Sequence, residues 1–351
     1  MAGELTLRLE TLATLTVGAL PASAKRRLAG PPITRDGLEL DLDTQVLIKL
    51  AERNPPPPPA SRTPAEARAE LRHSVRVLAG APITIASVQD TTIAGAAGPL
   101  PARLFVPAEA QGETASPLVV YYHGGGWVAG DLDTHDQPCR LLANASGARV
   151  LSVDYRLAPE HRFPAPLDDA LAAFNDAVAG AERLGADPAR VAVAGDSAGA
   201  HLAAVTAQQA VAGPGPAPAF QLLIYPVTDL AETSGSRLTF AEGFILTKPA
   251  MDWYEQQLLG PDADRRDPRV SPLLADDLSA AVPALVVTAG FDPLRDEGEA
   301  YAAKLRAAGA RALLRRHPSY VHGFIHMLTG SPGPRAAVAE MGGVLRAALA
   351  G

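Results

Sequence analysis

The sequence predicts an α/β fold: a mostly parallel eight-stranded sheet flanked by helices, preceded by a helical cap. Three observations predict it. From Leu118 onward, short and uniformly apolar runs alternate with stretches of helical composition, as strands buried on both faces of a parallel sheet require. The helices that open the chain come before any strand, so they form a layer of their own. The run Arg190 to Gly199, R-V-A-V-A-G-D-S-A-G, reads as a strand, a tight turn and a helix, with Ser197 at the turn.

In order along the chain, residues 1–37 are an extension with one helix, on which Leu5, Leu9, Leu12 and Leu20 fall at roughly helical spacing before the breakers G-P-P and D-G. Residues 38–80 form the cap. An amphipathic helix runs from Leu38 to Arg53 and is ended by the prolines Pro55 to Pro59. Thr63-Pro64, an N-cap followed by proline at the first helical position, starts a second helix that reaches about Val77. Residues 81–351 form the catalytic domain. It opens with an antiparallel pair near Ile83 to Ile93 and Ala102 to Pro107. Strands then follow at Leu118 to Tyr122, Val150 to Val153, Val191 to Ala194, Phe220 to Tyr225, Ala284 to Thr288 and Arg311 to Arg315. Helices are expected at Asp136 to Gly147, Pro166 to Leu184, Gly199 to Val211, Gly298 to Ala308 and Arg335 to Leu349. Residues 227–282 interrupt the alternation with no strand and one helix near Pro249 to Leu259, an insertion expected to cover the face where the chemistry-bearing loops emerge.

Composition narrows the function. A chain of 351 residues, 47% hydrophobic and 20% charged, builds an ample core. A net charge of −7 without a basic stripe argues against nucleic acid or an anionic membrane as the main partner. The single cysteine, Cys139, excludes an internal disulfide framework and reads as a packed small hydrophobe. No Cys/His set has zinc spacing and no H-E-x-x-H occurs, so neither a metal nor another cofactor is expected. Leu12 to Ala24 is apolar, but Glu4, Arg8 and Glu10 stand where a secretory signal has a positive region. With no run of 18 apolar residues, no membrane-spanning helix is expected, and the expected location is the cytoplasm.

Two motifs carry the chemistry. In G-x-S-x-G, Gly195 and Gly199 permit the strained turn that lifts the Ser197 hydroxyl clear of the sheet, and the following helix aims free N–H groups at the place where an oxyanion forms. His123-Gly124-Gly125-Gly126-Trp127 follows a strand directly, and its glycines expose backbone N–H groups with no side chain in the way. No G-K-[ST] follows, so a phosphate-cradling loop does not fit.

With these motifs in this order, the chain resembles the hormone-sensitive-lipase family of α/β-hydrolases, the bacterial family IV esterases. The resemblance spans about residues 38 to 350. It rests on His123 to Gly126, Tyr155-Arg156-Leu157-Ala158-Pro159-Glu160, Gly195 to Gly199 in the G-D-S-A-G variant, Asp292-Pro293-Leu294-Arg295-Asp296-Glu297-Gly298, and His322-Gly323-Phe324. It implies a carboxylic ester hydrolase in which Ser197 is the nucleophile, His322 the general base and then acid, and Asp292 the group that orients His322. Gly124, Gly125 and Ala198 are the expected oxyanion donors. Asp296, Glu297 and Glu299 fall where the next helix begins and read as favourable helix-terminal charge. Arg156 and Glu160 read as one buried network bracing the loops. His123 is expected to pin the glycine loop, His201 to be packed and hydrogen-bonded, and His73, His135 and His161 to be surface or structural.

The implied substrate is a small ester with an acyl chain of about two to eight carbons, limited by the volume under the cap. Two alternatives share the scaffold: amide hydrolysis or deacetylation by the same triad, and a non-catalytic ligand-binding receptor like the plant gibberellin receptors, which lack the histidine present here as His322. The last strand, with an unpaired edge, is the expected route to a homodimer.

Overall fold

The computed structural model describes residues 2–53, 58–232, 235–261, 263–328 and 331–350. The extension is more regular than its sequence suggests. Helix α1 (Ala2–Gly18) is followed by a second helix, α2 (Ala22–Ala29), and by a two-stranded hairpin, β1 (Thr34–Arg35) and β2 (Leu38–Glu39). Asp36 and Gly37 join the hairpin, both with positive φ (52° and 73°), so the D-G pair closes a turn instead of only breaking a helix. Helix α3 (Leu42–Ala51) begins later than expected because Leu38 is in that hairpin, and the Asp41 side chain caps it through the Thr44 amide. Of the proline run, Pro55 to Pro57 lie outside the described residues. Helix α4 (Pro64–Ala79) starts on a full capping box between Thr63 and Glu66, as its sequence predicts.

The main sheet has eight strands. They are β3 (Ser87–Gly95), β4 (Gly98–Val106), β5 (Ser116–Tyr122), β6 (Arg149–Val153), β7 (Ala186–Asp196), β8 (Gln221–Ile224), β9 (Ala284–Phe291) and β10 (Ala312–Val321), in the order β10-β9-β8-β7-β5-β6-β4-β3. The antiparallel pair β3/β4 forms one edge, β4 joins β6 antiparallel, and every later pairing is parallel. The apolar runs split by period two. Leu118, Val120 and Tyr122 of β5 enter one core, and Val119 and Tyr121 the other; β7 divides in the same way. Helices α6 (Ala165–Ala179), α7 (Ala198–Ala212) and α10 (Arg295–Ala307) cover the first face, while α5 (Asp136–Ser146) and α11 (Pro332–Ala348) cover the second.

Strand β10 runs six residues past Arg315. An edge strand tolerates Arg315, Arg316 and Pro318 where a central one would not, and the register shifts between His317 and Val321. Residues 227–282 carry α8 (Ser236–Thr239), α9 (Lys248–Leu258) and no strand among the described residues, between the sixth and seventh strands of the sheet. This insertion and the N-terminal helices meet around a third core, in which Leu40 and Ile48 pack with Phe240, Phe244, Phe291, Val321 and Met327. Phe291 and Val321 each immediately precede a residue expected in the triad.

Candidate active site

Ser197 sits between β7 and α7 with φ 55° and ψ −120°, a conformation that costs a non-glycine residue about 1–3 kcal/mol. Gly195 and Gly199 make it possible. A Cβ on Gly195 would collide with the Gly199 carbonyl, and one on Gly199 with the carbonyl of Tyr122, so the turn closes only with both side chains absent. The Ser197 amide donates to the Ile224 carbonyl at 2.8 Å, tying the turn to β8.

The three residues expected to act together are adjacent. Ser197 Oγ lies 2.9 Å from His322 Nε2, and His322 Nδ1 lies 2.8 Å from Asp292 Oδ2. Asp292 is fully buried just past β9, and its Oδ1 accepts the Leu294 amide at 2.8 Å. That fixes which oxygen faces the imidazole, so Nδ1 carries the proton and Nε2 is free to take one from Ser197. The Tyr225 ring packs on the His322 imidazole at 4.5 Å between centroids. Asp296 and Glu297 lie in the first turn of α10 and turn elsewhere. Asp296 accepts the Ser236 amide, and buried Glu297 accepts the Thr228 and Asp229 amides and pairs with Arg237 at 2.6 Å. Glu299 pairs with Arg316.

The glycine loop differs from its expected geometry: Gly124, an expected oxyanion donor, instead donates its N–H to Asp196 Oδ1 at 2.9 Å, and that N–H lies 3.2 Å from His135 Nε2. Asp196 is buried under the loop, immediately before Ser197, and its charge gathers donors around it. Oδ1 also accepts the Tyr121 hydroxyl at 2.8 Å and stands 3.1 Å from His135 Nε2. Burial alone would raise the Asp196 carboxyl; attraction to His135 and the bonds from His135 and Tyr121 outweigh it and hold the group well below the usual carboxylate range. Among the described residues, the amides of Gly125, Gly126 and Ala198 donate no backbone hydrogen bond, and all three lie beside Ser197. Gly125, at φ 119°, packs so closely on the Ala129 carbonyl that any side chain would collide with it.

His135, Asp196 and His326 offer ligand atoms within 4.8 Å of one another, close enough to hold a metal ion. They do not fit one. The Gly124 N–H points between His135 Nε2 and Asp196 Oδ1, where the ion would have to sit. Burial pushes His326 down to about 3, with His135 adding to the shift, and its Nδ1 has no partner among the described residues.

His123 is buried, with Nδ1 2.9 Å from the Gly124 carbonyl, and desolvation and then His135 lower it to about 4. His135 is structural but no surface residue, being 1% exposed. His73 is exposed and pairs with Glu10. Arg156 and Glu160 do not form one buried network. Arg156 grips buried Asp169 at 2.7 and 2.8 Å, while exposed Glu160 pairs with Arg68 of α4 at 2.6 Å. Arg68 also donates to the Val128 and Ala158 carbonyls, which ties α4 to the segment that follows the glycine loop. From the insertion, the Tyr254 ring lies directly against Gly126. Sequence reading missed Asp196, Tyr225 and the buried Arg237, Glu255 and Glu297 group; the acid beside Ser197 in G-D-S-A-G was the one local signal.

A model of the alpha/beta hydrolase fold family matches residues 119–326. The Carboxylic ester hydrolase LipN of Mycobacterium tuberculosis (strain ATCC 25618 / H37Rv) is 45% identical over 338 residues, which cover 94% of this chain and 89% of that protein. An ethyl acetate hydrolase of Pseudomonas putida is 42% identical, over 75% of this chain and 83% of its own. Among solved structures, an ester-hydrolase from the metagenome of Lake Arreo, complexed with a derivative of bipyridine phosphonate, superposes with a TM-score of 0.85 at 42% identity, covering 88% of this chain and 98% of that one.

Proposed function

Because the chain belongs to the alpha/beta hydrolase fold family, on its hormone-sensitive-lipase-like branch, and is a carboxylic ester hydrolase, we propose that Ser197, His322 and Asp292 are its catalytic triad. The observation that carries this reading is the unbroken chain from Ser197 Oγ through both imidazole nitrogens to Asp292, at 2.9 and 2.8 Å. Ser197 Oγ attacks the acyl carbonyl while its proton passes to His322 Nε2, and Asp292 stabilises the imidazolium. The carbonyl oxygen becomes an oxyanion held by the amides of Gly125, Gly126 and Ala198; each such donor is worth about 3–4 kcal/mol in the transition state. Collapse expels the alcohol with the proton from His322. Water, deprotonated by the same nitrogen, then attacks the acyl-enzyme and releases the acid.

The substrates of this reading are esters with acyl chains of about two to eight carbons. Residues 38–80 act as a cap over the site, supported by the Arg68 bonds to the Val128 and Ala158 carbonyls and by α3 packing beside Phe291 and Val321. Tyr254 crowding Gly126 from the insertion and the similarity to an ethyl acetate hydrolase point the same way. No described helix is long and apolar enough to cross a membrane. Paired p-nitrophenyl ester and anilide substrates separate ester from amide hydrolysis. An acyl series from acetate to palmitate tests the length limit: turnover should fall beyond about eight carbons, and undiminished turnover on long-chain emulsions would overturn it. The exposed edge of β10 is the proposed route to a homodimer.

A further inference from the structure

Trp127 follows the two glycines whose amides face the oxyanion and has φ 60°, a left-handed conformation rare for a bulky residue. Its indole is 2% exposed, and its Nε1–H donates to His201 Nδ1 at 3.2 Å. His201 is 1% exposed and stands on the first turn of the elbow helix, its own amide bonded to the Ser197 carbonyl at 3.0 Å. Because Nδ1 accepts the indole proton, Nε2 must carry the ring's hydrogen, and it donates to the Arg269 carbonyl of the insertion at 3.0 Å. One neutral imidazole thus joins the glycine loop, the nucleophile's helix and the insertion. Burial favours that neutral form, lowering His201 to about 4.

We propose that His201 is a positioning residue for the oxyanion: by accepting the Trp127 indole proton it fixes the left-handed turn at Trp127 and so aims the Gly125 and Gly126 amides at the acyl oxygen. The inference rests on the oxyanion assignment above. Two of the three proposed donors sit on the glycine loop and the third, Ala198, on the helix that bears His201. Their relative placement therefore depends on a contact between loop and helix, and the indole–imidazole bond is such a contact immediately beside the donors.

The test compares His201→Leu, which removes the acceptor, His201→Asn, whose Oδ1 falls where Nδ1 was, and Trp127→Phe, which removes the donor while keeping an aromatic ring. Each is assayed with a short-chain p-nitrophenyl ester and with a trifluoromethyl ketone, which binds as a hemiketal oxyanion on the nucleophile. His201→Leu and Trp127→Phe should lower kcat about tenfold or more with KM within twofold, and should weaken the ketone by the same factor. His201→Asn should stay within about threefold of the parent in both. The proposal is overturned if Trp127→Phe, folded by its circular dichroism, leaves kcat and ketone affinity unchanged, or if His201→Asn falls as far as His201→Leu. Gly125→Ala distinguishes failure of the underlying assignment. Its side chain has no room against the Ala129 carbonyl, so a ketone affinity that survives it would remove the loop from the oxyanion altogether.

Discussion

The Asp196 carboxylate accepts the Gly124 amide at 2.9 Å, so the residue immediately before the nucleophile holds down the first glycine of the loop opposite. That bond makes the first glycine an anchor, and in the proposed mechanism it is the next two that donate to the oxyanion. The buried charge is then compatible with a loop proposed to bind an anion. The carboxylate lies on the inner side, where Tyr121 and His135 surround it.

Asp196→Asn tests the anchor. The amide keeps the shape but loses the charge, and its NH2 cannot accept the bonds that the buried donors supply. The variant should lose about 3 kcal/mol of stability, because buried donors are left poorly paired. It should also lose kcat about tenfold through loop disorder. Thermal unfolding and steady-state kinetics check it, and a lowered Tm with unchanged kcat would reduce Asp196 to a structural residue.

Acid should destabilise the fold through its buried histidines. Burial lowers His123 and His201 to about 4 and His326 to about 3, so each stays neutral in the folded protein while an unfolded chain protonates near 6.5. Their stabilisation is complete above about pH 6.5 and is lost as pH falls toward 4. The loss is about 1.4 kcal/mol per pH unit for each histidine, or about 4 for the three. Asp154, raised to about 6 first by burial and then by Asp131, titrates in the opposite sense and offsets at most one of them. Tm measured from pH 8 to pH 4 should drop steeply below 6.5, and a flat profile down to pH 5 would contradict this account.

The two acids near the end of β9 should separate cleanly. Asp292 touches His322 Nδ1, whereas Asp296 accepts the Ser236 amide and pairs with Arg295. Asp292→Asn should lower kcat by about 10³–10⁴, since the imidazole loses its orientation and its counter-charge. Asp296→Asn should stay within about tenfold of the parent. The reverse ranking would move the acid assignment.

Strand β10 offers an unpaired edge with Leu313 57% exposed, while the Asp41 amide already covers Ser319 near its far end. Pairing of two copies along the free part should give a dimer at micromolar concentration, measurable by light scattering. Leu313→Asp should shift it toward monomer. Monomer alone in the unmutated protein would refute the edge interface.

What the sequence revealed follows the range of the forces involved. The elbow, the strands and the order serine, acid, histidine were legible because apolar runs and turn glycines act over a few residues. The partner of Gly124 was not, because Asp196 lies 72 residues away and only the closed sheet brings them together. Arg237 and Glu297, 60 residues apart, were hidden for the same reason. The length of β10 is hidden because Arg315, Arg316 and Pro318 look like a strand's end, yet an edge accepts them. The hairpin in the extension is hidden because D-G, by composition alone, reads as a helix breaker, whereas here it closes a turn.

The most direct test of the central claim is to react the protein with a fluorophosphonate and locate the adduct by peptide mass spectrometry, alongside the ester turnover of Ser197→Ala. The account predicts one adduct per chain, on Ser197, and a folded variant with turnover reduced by at least about 10³. An adduct on another serine, or substantial turnover by Ser197→Ala, would contradict it.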